Sequence, residues 1–187
     1  MSEGMIDKKI EITAPITDEA IARLRAGDSV LITGVIFTAR DAAHKLMVEM
    51  IERGEKPPFD FAGQIVYYAG PSPAKPGAVI GSVGPTTSGR MDAYSPMLIR
   101  LGLKAMIGKG LRDENVKRAI VECGGVYFAA LGGAAALIAG SVTAAEVIAF
   151  PELGPEAIRR LEVARFPAVV AIDSLGNDVY DRRGAAL

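Results

Sequence analysis

The chain has 187 residues and a mass of 19.6 kDa, and half of it is apolar. That length reads as one domain, residues 1–187, able to bury a sizeable core without disulfides or a structural metal. With 21 Lys and Arg against 22 Asp and Glu, the net charge is −1, which argues against a nucleic-acid binder or a polybasic membrane-surface protein.

The opening MSEGMIDKKIEI has no apolar central run and carries no secretory signal pattern. Ile10 and Ile12 alternate with polar neighbours as in a half-buried strand. Thr17-Asp18-Glu19 is a helix-start signal, and Ile21 and Leu24 continue at helical spacing until Gly27. Ser29 to Ala39 reads as a near-continuous buried strand, and Arg40 to Arg53 as a helix closed by Gly54. After the loop KPPFDFAG, Ile65 to Ala69 and Ala78 to Val83 read as short strands joined by GPSPAKPG. GPTTSGR precedes a helix carrying Met91, Tyr94, Leu98 and Leu101. Ala105 to Ile107 is a strand leading into GKG, Asp113 to Glu122 a helix, and Val126 to Leu131 a strand. Gly132-Gly133 opens an Ala-rich helix. FPELG is a turn before a helix over Pro155–Leu161, Pro167 to Asp173 is a strand, and LGND is a turn before Val179-Tyr180. Interleaved strands and helices predict an α/β fold with helices covering the sheet.

One stretch is long enough to cross a bilayer, Cys123 to Ala145, which holds no charged residue. Its five glycines and eight alanines contribute little to insertion, so a buried strand, a Gly turn and a small-residue helix are expected instead.

Cys123 is the only cysteine and His44 the only histidine. This excludes a disulfide framework, a thiolate cluster or zinc site from this chain's cysteines alone, and a His-rich metal site, and it fits a reducing compartment. Cys123 itself reads as a buried apolar residue.

The densest chemical signal is Gly84-Pro85-Thr86-Thr87-Ser88-Gly89-Arg90, between a predicted strand and a predicted helix. Free N–H groups and the positive end of a helix dipole make an anion pocket there, and Arg90 adds a fork suited to a carboxylate or phosphate. The plainer reading is a helix cap. Neither a Walker loop nor GxGxxG is present. At the junction Thr38–His44, Arg40 sits near a helix start, where a cation is unfavourable. It needs a partner, either a ligand carboxylate or an acid of this chain such as Asp41. His44, at i+4 from Arg40, could carry a proton or be structural. Lys109, between Gly108 and Gly110, could bring charge or a proton to an anion, or be a solvated turn residue. Together the three cation-bearing junctions describe a site for a small polyanion such as a dicarboxylate. No base, metal-ligand set or nucleophile–base pair accompanies them, so the chain looks like half of an active site.

GPTTSGRMDAY, TARDAAH, YYAGP, GKG, the GG-x-Y-F…GG-A-A segment and FPELGPEAI resemble the β subunit of class I, iron–sulfur fumarate hydratase. The same unit forms the C-terminal domain of single-chain class I fumarases and the β subunit of L-tartrate dehydratase. The resemblance runs from about Ile10 to Tyr180. Leu111 follows Gly110 where the family often continues GKGN, and Ala134 follows Gly133 where it often has proline.

The resemblance implies a swivelling β/β/α domain with a mixed sheet flanked by helices. It implies a hydro-lyase that interconverts fumarate and L-malate, a cytoplasmic reaction of the tricarboxylic acid cycle, with the L-tartrate reaction as the alternative. A [4Fe–4S] cluster would be held by three cysteines of an obligate α subunit and not by this chain, which would be inactive alone and would assemble as an α–β heterodimer paired into a heterotetramer. Arg40 would bind a substrate carboxylate, Thr86, Thr87, Gly89 and Arg90 would form the carboxylate pocket, and Lys109 would touch substrate. Thr86 and Lys109 would be catalytic, Thr86 as general acid or proton relay, while His44 and Asp41 would stand behind them. A reading of a different class is a non-catalytic anion-binding module.

Overall fold

A computed structural model of the chain describes residues 9–130 and 135–181. The elements in order are β1 (Ile10–Ala14), α1 (Asp18–Arg23), β2 (Ser29–Thr38), α2 (Asp41–Glu52), β3 (Ile65–Tyr67), a 3-10 turn over Ser88–Met91, and α3 (Ser95–Arg100). There follow β4 (Ala105–Gly108), α4 (Glu114–Cys123), β5 (Val126–Ala130), α5 (Ala135–Ser141), β6 (Val142–Ala149), a second 3-10 turn over Pro151–Glu156, and β7 (Ile158–Ile172).

The seven strands form one mixed sheet in the order β1-β2-β3-β4-β5-β7-β6. β1 to β5 pair in parallel where they are neighbours, while β7 runs antiparallel to β2, β5 and β6. Because β7 pairs with β2 as well as β5, strands β2, β3, β4, β5 and β7 close into a five-stranded ring. The mixed α/β fold expected from the sequence is present.

Period-two alternation sorts the side chains. Ile65, Tyr67, Ala105, Ile107, Val126 and Phe128 belong to one buried cluster with Ile32, Leu161 and Phe166. Val66, Met106 and Tyr127 belong to a second, with Met47 of α2, Leu98 of α3 and Ile120 of α4. Both faces are covered, which is why these strands read as continuous apolar runs.

Caps follow the expected chemistry. Thr17 Oγ1 accepts from Ala20 N at 3.2 Å, and Asp113 Oδ1 from Val116 N at 2.8 Å. Asp173 closes the LGND turn, its carboxylate accepting from Ala26 N, Leu175 N, Asn177 N and Asn177 Nδ2. Burial alone would raise its pKa, and these hydrogen bonds outweigh burial and lower it.

Four expectations change. Residues 78–83 form no strand; the loop is pinned instead by Ser72 N donating to Ser82 O. The helix expected over Pro155–Leu161 ends as a 3-10 turn at Glu156, and Ile158 onward is β7, paired on both edges with β2 and β6. The Ala-rich helix stops at Ser141, and Val142–Ala149 is a strand. The helix after GPTTSGR is split into the 3-10 turn and the six-residue α3. Leu131, Gly132, Gly133 and Ala134 lie outside the described residues. Cys123 is half-buried against the second cluster. Among the described residues no helix is long and apolar enough to cross a membrane.

Candidate functional site

β2, β3 and β4 lie side by side and parallel, so their carboxyl ends face one way. Arg40 follows the end of β2, Thr86–Arg90 cross the end of β3, and Lys109 follows β4. The crossing segment ties the others together. Thr86 N donates to Tyr68 O, Ser88 N donates to Lys109 O at 2.9 Å, and Thr87 forms a bridge with Lys109. Arg90 Nη2 donates to Asp41 Oδ2 at 3.1 Å. The three cation-bearing junctions therefore converge at one end of the sheet.

Arg40 is the residue before α2 and makes no side-chain cap. Its Nε lies 3.0 Å from Glu156 Oε1 and 3.9 Å from Asp41 Oδ1. Of the partners open to it on sequence, a ligand carboxylate or an acid of the chain such as Asp41, the acid nearest to it is Glu156; Asp41 is hydrogen-bonded to Arg90. Arg40 Nε and Asp41 Oδ1 are buried atoms without a hydrogen-bond partner, and such orphans mark a place where a polar ligand or water would be stabilised. Thr87, Gly89, Arg90 and Lys109 are exposed, and Arg40, Asp41 and Thr86 half-buried, so the site is an open face.

Ser88 departs from the hydroxyl triplet. Its side chain turns inward, Oγ 2.8 Å from Tyr127 OH, which donates to Gly110 O at 2.9 Å. The 3-10 turn that follows is four residues long, and Thr87 makes no side-chain cap bond. The helix-dipole part of the anion argument is thereby lost; the backbone turn and Arg90 remain.

This turn can lie against β4 because position 108 is glycine. A Cβ there would fall inside contact distance of Ser88 Oγ and 2.9 Å from Tyr68 Cδ2. Gly108→Ala is expected to cost about 1–3 kcal/mol, the usual penalty of overpacking, read as a lower urea midpoint. An unchanged midpoint would contradict the close approach.

Beneath the face lies a polar network that motif reading missed. Arg112 is 4% exposed. Its Nε donates to Asp92 Oδ1 at 2.7 Å and its Nη2 to Ser95 Oγ at 2.9 Å and Tyr68 OH at 3.3 Å, while the guanidinium lies over the Tyr68 and Tyr127 rings. Asp92 also accepts from Asp113 N at 2.7 Å. The network joins both turns that present Arg90 and Lys109. An arginine just before a helix resembles a solvated one in sequence, and nothing local signals its burial.

His44 is fully buried, Nδ1 donating to Arg40 O at 2.8 Å and Nε2 unpartnered, with its ring edge-on to Tyr68. Burial pushes its pKa from 6.5 down to about 4. The unfolded chain takes up this proton below pH 6.5 and the folded chain only below about 4. Stability is therefore full above 6.5 and falls by about 3 kcal/mol in total as pH drops to 4. His44→Gln is expected to flatten that part of the stability–pH curve, measured by urea unfolding at several pH values; an unchanged slope would refute the assignment.

The family model described as "Fumarase C-terminus" matches residues 2–183. The chain belongs to the fumarase C-terminus family. Among its relatives is the "Putative L(+)-tartrate dehydratase subunit beta" of Methanocaldococcus jannaschii, 42% identical over 89% of this chain and 88% of that one. "Fumarate hydratase 2" of Leishmania major is 37% identical over 93% of this chain and 31% of its own length. "Fumarate hydratase class I, anaerobic" of Escherichia coli is 38% identical over 93% and 32%. This fumarase C-terminus chain thus spans about a third of each fumarate hydratase and most of the tartrate dehydratase subunit. Its described residues contain no group of three or more His, Cys, Asp or Glu able to hold a metal, and with one cysteine they do not fit an iron–sulfur cluster.

Proposed function

We propose that the chain, a single domain over residues 1–187, is the β component of a class I fumarate hydratase. In this reading it supplies dicarboxylate-binding and proton-relay groups to a site completed by a cysteine-bearing α subunit that holds a [4Fe–4S] cluster. The observation that carries the reading is the convergence of Arg40, Arg90 and Lys109 at the carboxyl ends of three adjacent strands, tied by Asp41 and the Thr87–Lys109 bridge.

The reaction is addition of water across the double bond of fumarate to give L-malate. Arg40 and the pocket of Thr86, Thr87, Gly89 and Arg90 bind the carboxylates and stabilise negative charge as it builds on one of them. In this reading Thr86 and Lys109 pass a proton to or from substrate through the hydroxyl and the ammonium. Asp41 holds Arg90 in place. Exposed groups of this kind cannot exclude water by themselves, which fits a face closed by the partner. An α–β heterodimer, paired as a heterotetramer in the cytoplasm, is the expected assembly.

The second reading is the β subunit of L-tartrate dehydratase, which removes water from tartrate to leave oxaloacetate. It is favoured by the relative whose length this chain covers to 88%. Anaerobic steady-state rates with fumarate, L-malate and L-tartrate, on the chain alone and on the complex it forms in its native extract, decide between the two. Turnover of fumarate only in the complex supports the first reading, and turnover of tartrate the second. No turnover of any diacid by an iron–sulfur complex overturns both and leaves the anion-binding module.

A further inference from the structure

We propose that Glu156 is a positioning residue for Arg40: it neutralises the root of the guanidinium and aims its two terminal nitrogens at the substrate carboxylate. This rests on the reading of Arg40 as a carboxylate ligand.

The contact falls on one nitrogen. Glu156 Oε1 lies 3.0 Å from Nε as an ion pair without a hydrogen bond, while Nη1 and Nη2 of Arg40 make neither an ion pair nor a hydrogen bond among the described residues. A cation at the start of α2 faces the positive end of the helix dipole, and an acid beside Nε offsets that repulsion without occupying the fork. Gly70 closes the other side. A Cβ there would lie 3.1 Å from Arg40 Cδ and 3.0 Å from Pro155 O, so the arginine stem is held between the β3 exit and the turn that carries Glu156.

Glu156 is fixed by the sheet. Its 3-10 turn is entered through Phe150 at φ 54°, ψ 48°, and contains Gly154 at φ 58°, ψ −118°, a conformation that glycine tolerates and other residues avoid. The Arg159 side chain straps the turn from behind. Its Nη1 donates to Pro155 O at 3.1 Å and Ala157 O at 3.2 Å, and its Nη2 to Gly154 O at 3.1 Å. Arg159 is paired with Thr38 across the β2–β7 ladder, and its N donates to Thr38 Oγ1 at 3.2 Å. Thr38 stands two residues before Arg40, so both members of the ion pair hang from the same ladder rung. A carboxylate tethered in this way holds Arg40 rather than leaving it when substrate arrives. The FPELGPEAI segment, read from sequence as a turn over FPELG and the start of a helix, thereby acquires a role at the site.

Two measurements test this. In the isotope-labelled full chain, the Arg40 Nε–Hε group, assigned by its loss in Arg40→Lys, is expected to give a {1H}–15N NOE clearly more rigid than that of Arg90. Glu156→Gln should abolish the difference. In the assembled enzyme, Glu156→Gln is expected to raise KM for the diacid at least tenfold with kcat changed less than threefold, as for loss of ground-state binding. Glu156→Asp, which keeps the charge, should fall between. Equal NOE values in wild type and Glu156→Gln, or an unchanged KM, overturns the proposal. A lowered KM also overturns it, showing that Glu156 competes with substrate. If Glu156→Gln does not fold, Glu156→Asp and Glu156→Ala are read for the same two quantities. If the wild-type complex turns over no diacid, the catalytic reading fails, and the NOE measurement still decides whether Glu156 holds Arg40.

Discussion

Arg90→Ala is expected to lower kcat/KM of the assembled enzyme by about 10²-fold or more while leaving the melting temperature of the chain nearly unchanged. Arg90 is exposed, its side chain at 52%, and its one ion pair among the described residues is with Asp41 at 3.1 Å. An exposed single-contact pair contributes about 0–1 kcal/mol to folding. Hydrogen bonds from a guanidinium to a carboxylate of substrate contribute more, about 1.5–3 kcal/mol each, and a hundredfold loss of rate corresponds to about 2.7 kcal/mol. The two magnitudes separate binding from scaffolding. A large kinetic loss with little change in stability fits an arginine whose main partner is the substrate. Arg90→Lys keeps the charge without the fork and should recover only part of the rate. Near-wild-type kcat/KM in Arg90→Ala, measured by anaerobic steady-state kinetics, would remove this residue from the site and with it the proposed carboxylate pocket.

Asp92→Ala has the opposite signature: a large loss of stability. Asp92 is 9% exposed and is the carboxylate paired with the buried Arg112. Burial would lower the basicity of Arg112, and the neighbouring Tyr68 and Asp92 reverse that and raise it. Removing the acid leaves a buried cation without its counter-charge, which costs about 3–5 kcal/mol. For a chain of this size that lowers the melting temperature by about 10 °C. The double variant Asp92→Leu with Arg112→Met removes both charges and should recover much of the loss, because neither desolvated ion is then left alone. Thermal unfolding of the three chains reads the outcome. A single variant that melts within 2 °C of wild type would show that the network does not hold the two turns above it.

Much of the fold was legible from local chemistry. Thr17 and Asp113 cap helices because their side-chain oxygens reach free N–H groups three residues on. β2 was recognisable as a near-continuous apolar run because most of it is buried on both faces. Elsewhere, short-range pattern was ambiguous. Ile158 and Leu161 stand at helical spacing, yet strand pairing on both edges outweighs that preference. Ala144 and Ala145 favour helix by propensity, but a ladder against β7 includes them in a strand.

The site divides in the same way. The residue sequence by itself determined which turns carry cations, because Arg40, Arg90 and Lys109 each stand in recognisable strand-end segments. Family-specific strings around them pointed to a dicarboxylate. Only the tertiary structure decided whom each side chain meets: Asp41 turns to Arg90, Arg40 to Glu156, and Ser88 to Tyr127 in the interior. The reason is range. Caps, turns and periodicity act over a few residues and are written in neighbours, whereas an ion pair between positions 40 and 156 exists because a ladder between β2 and β7 brings distant stretches of chain to one place.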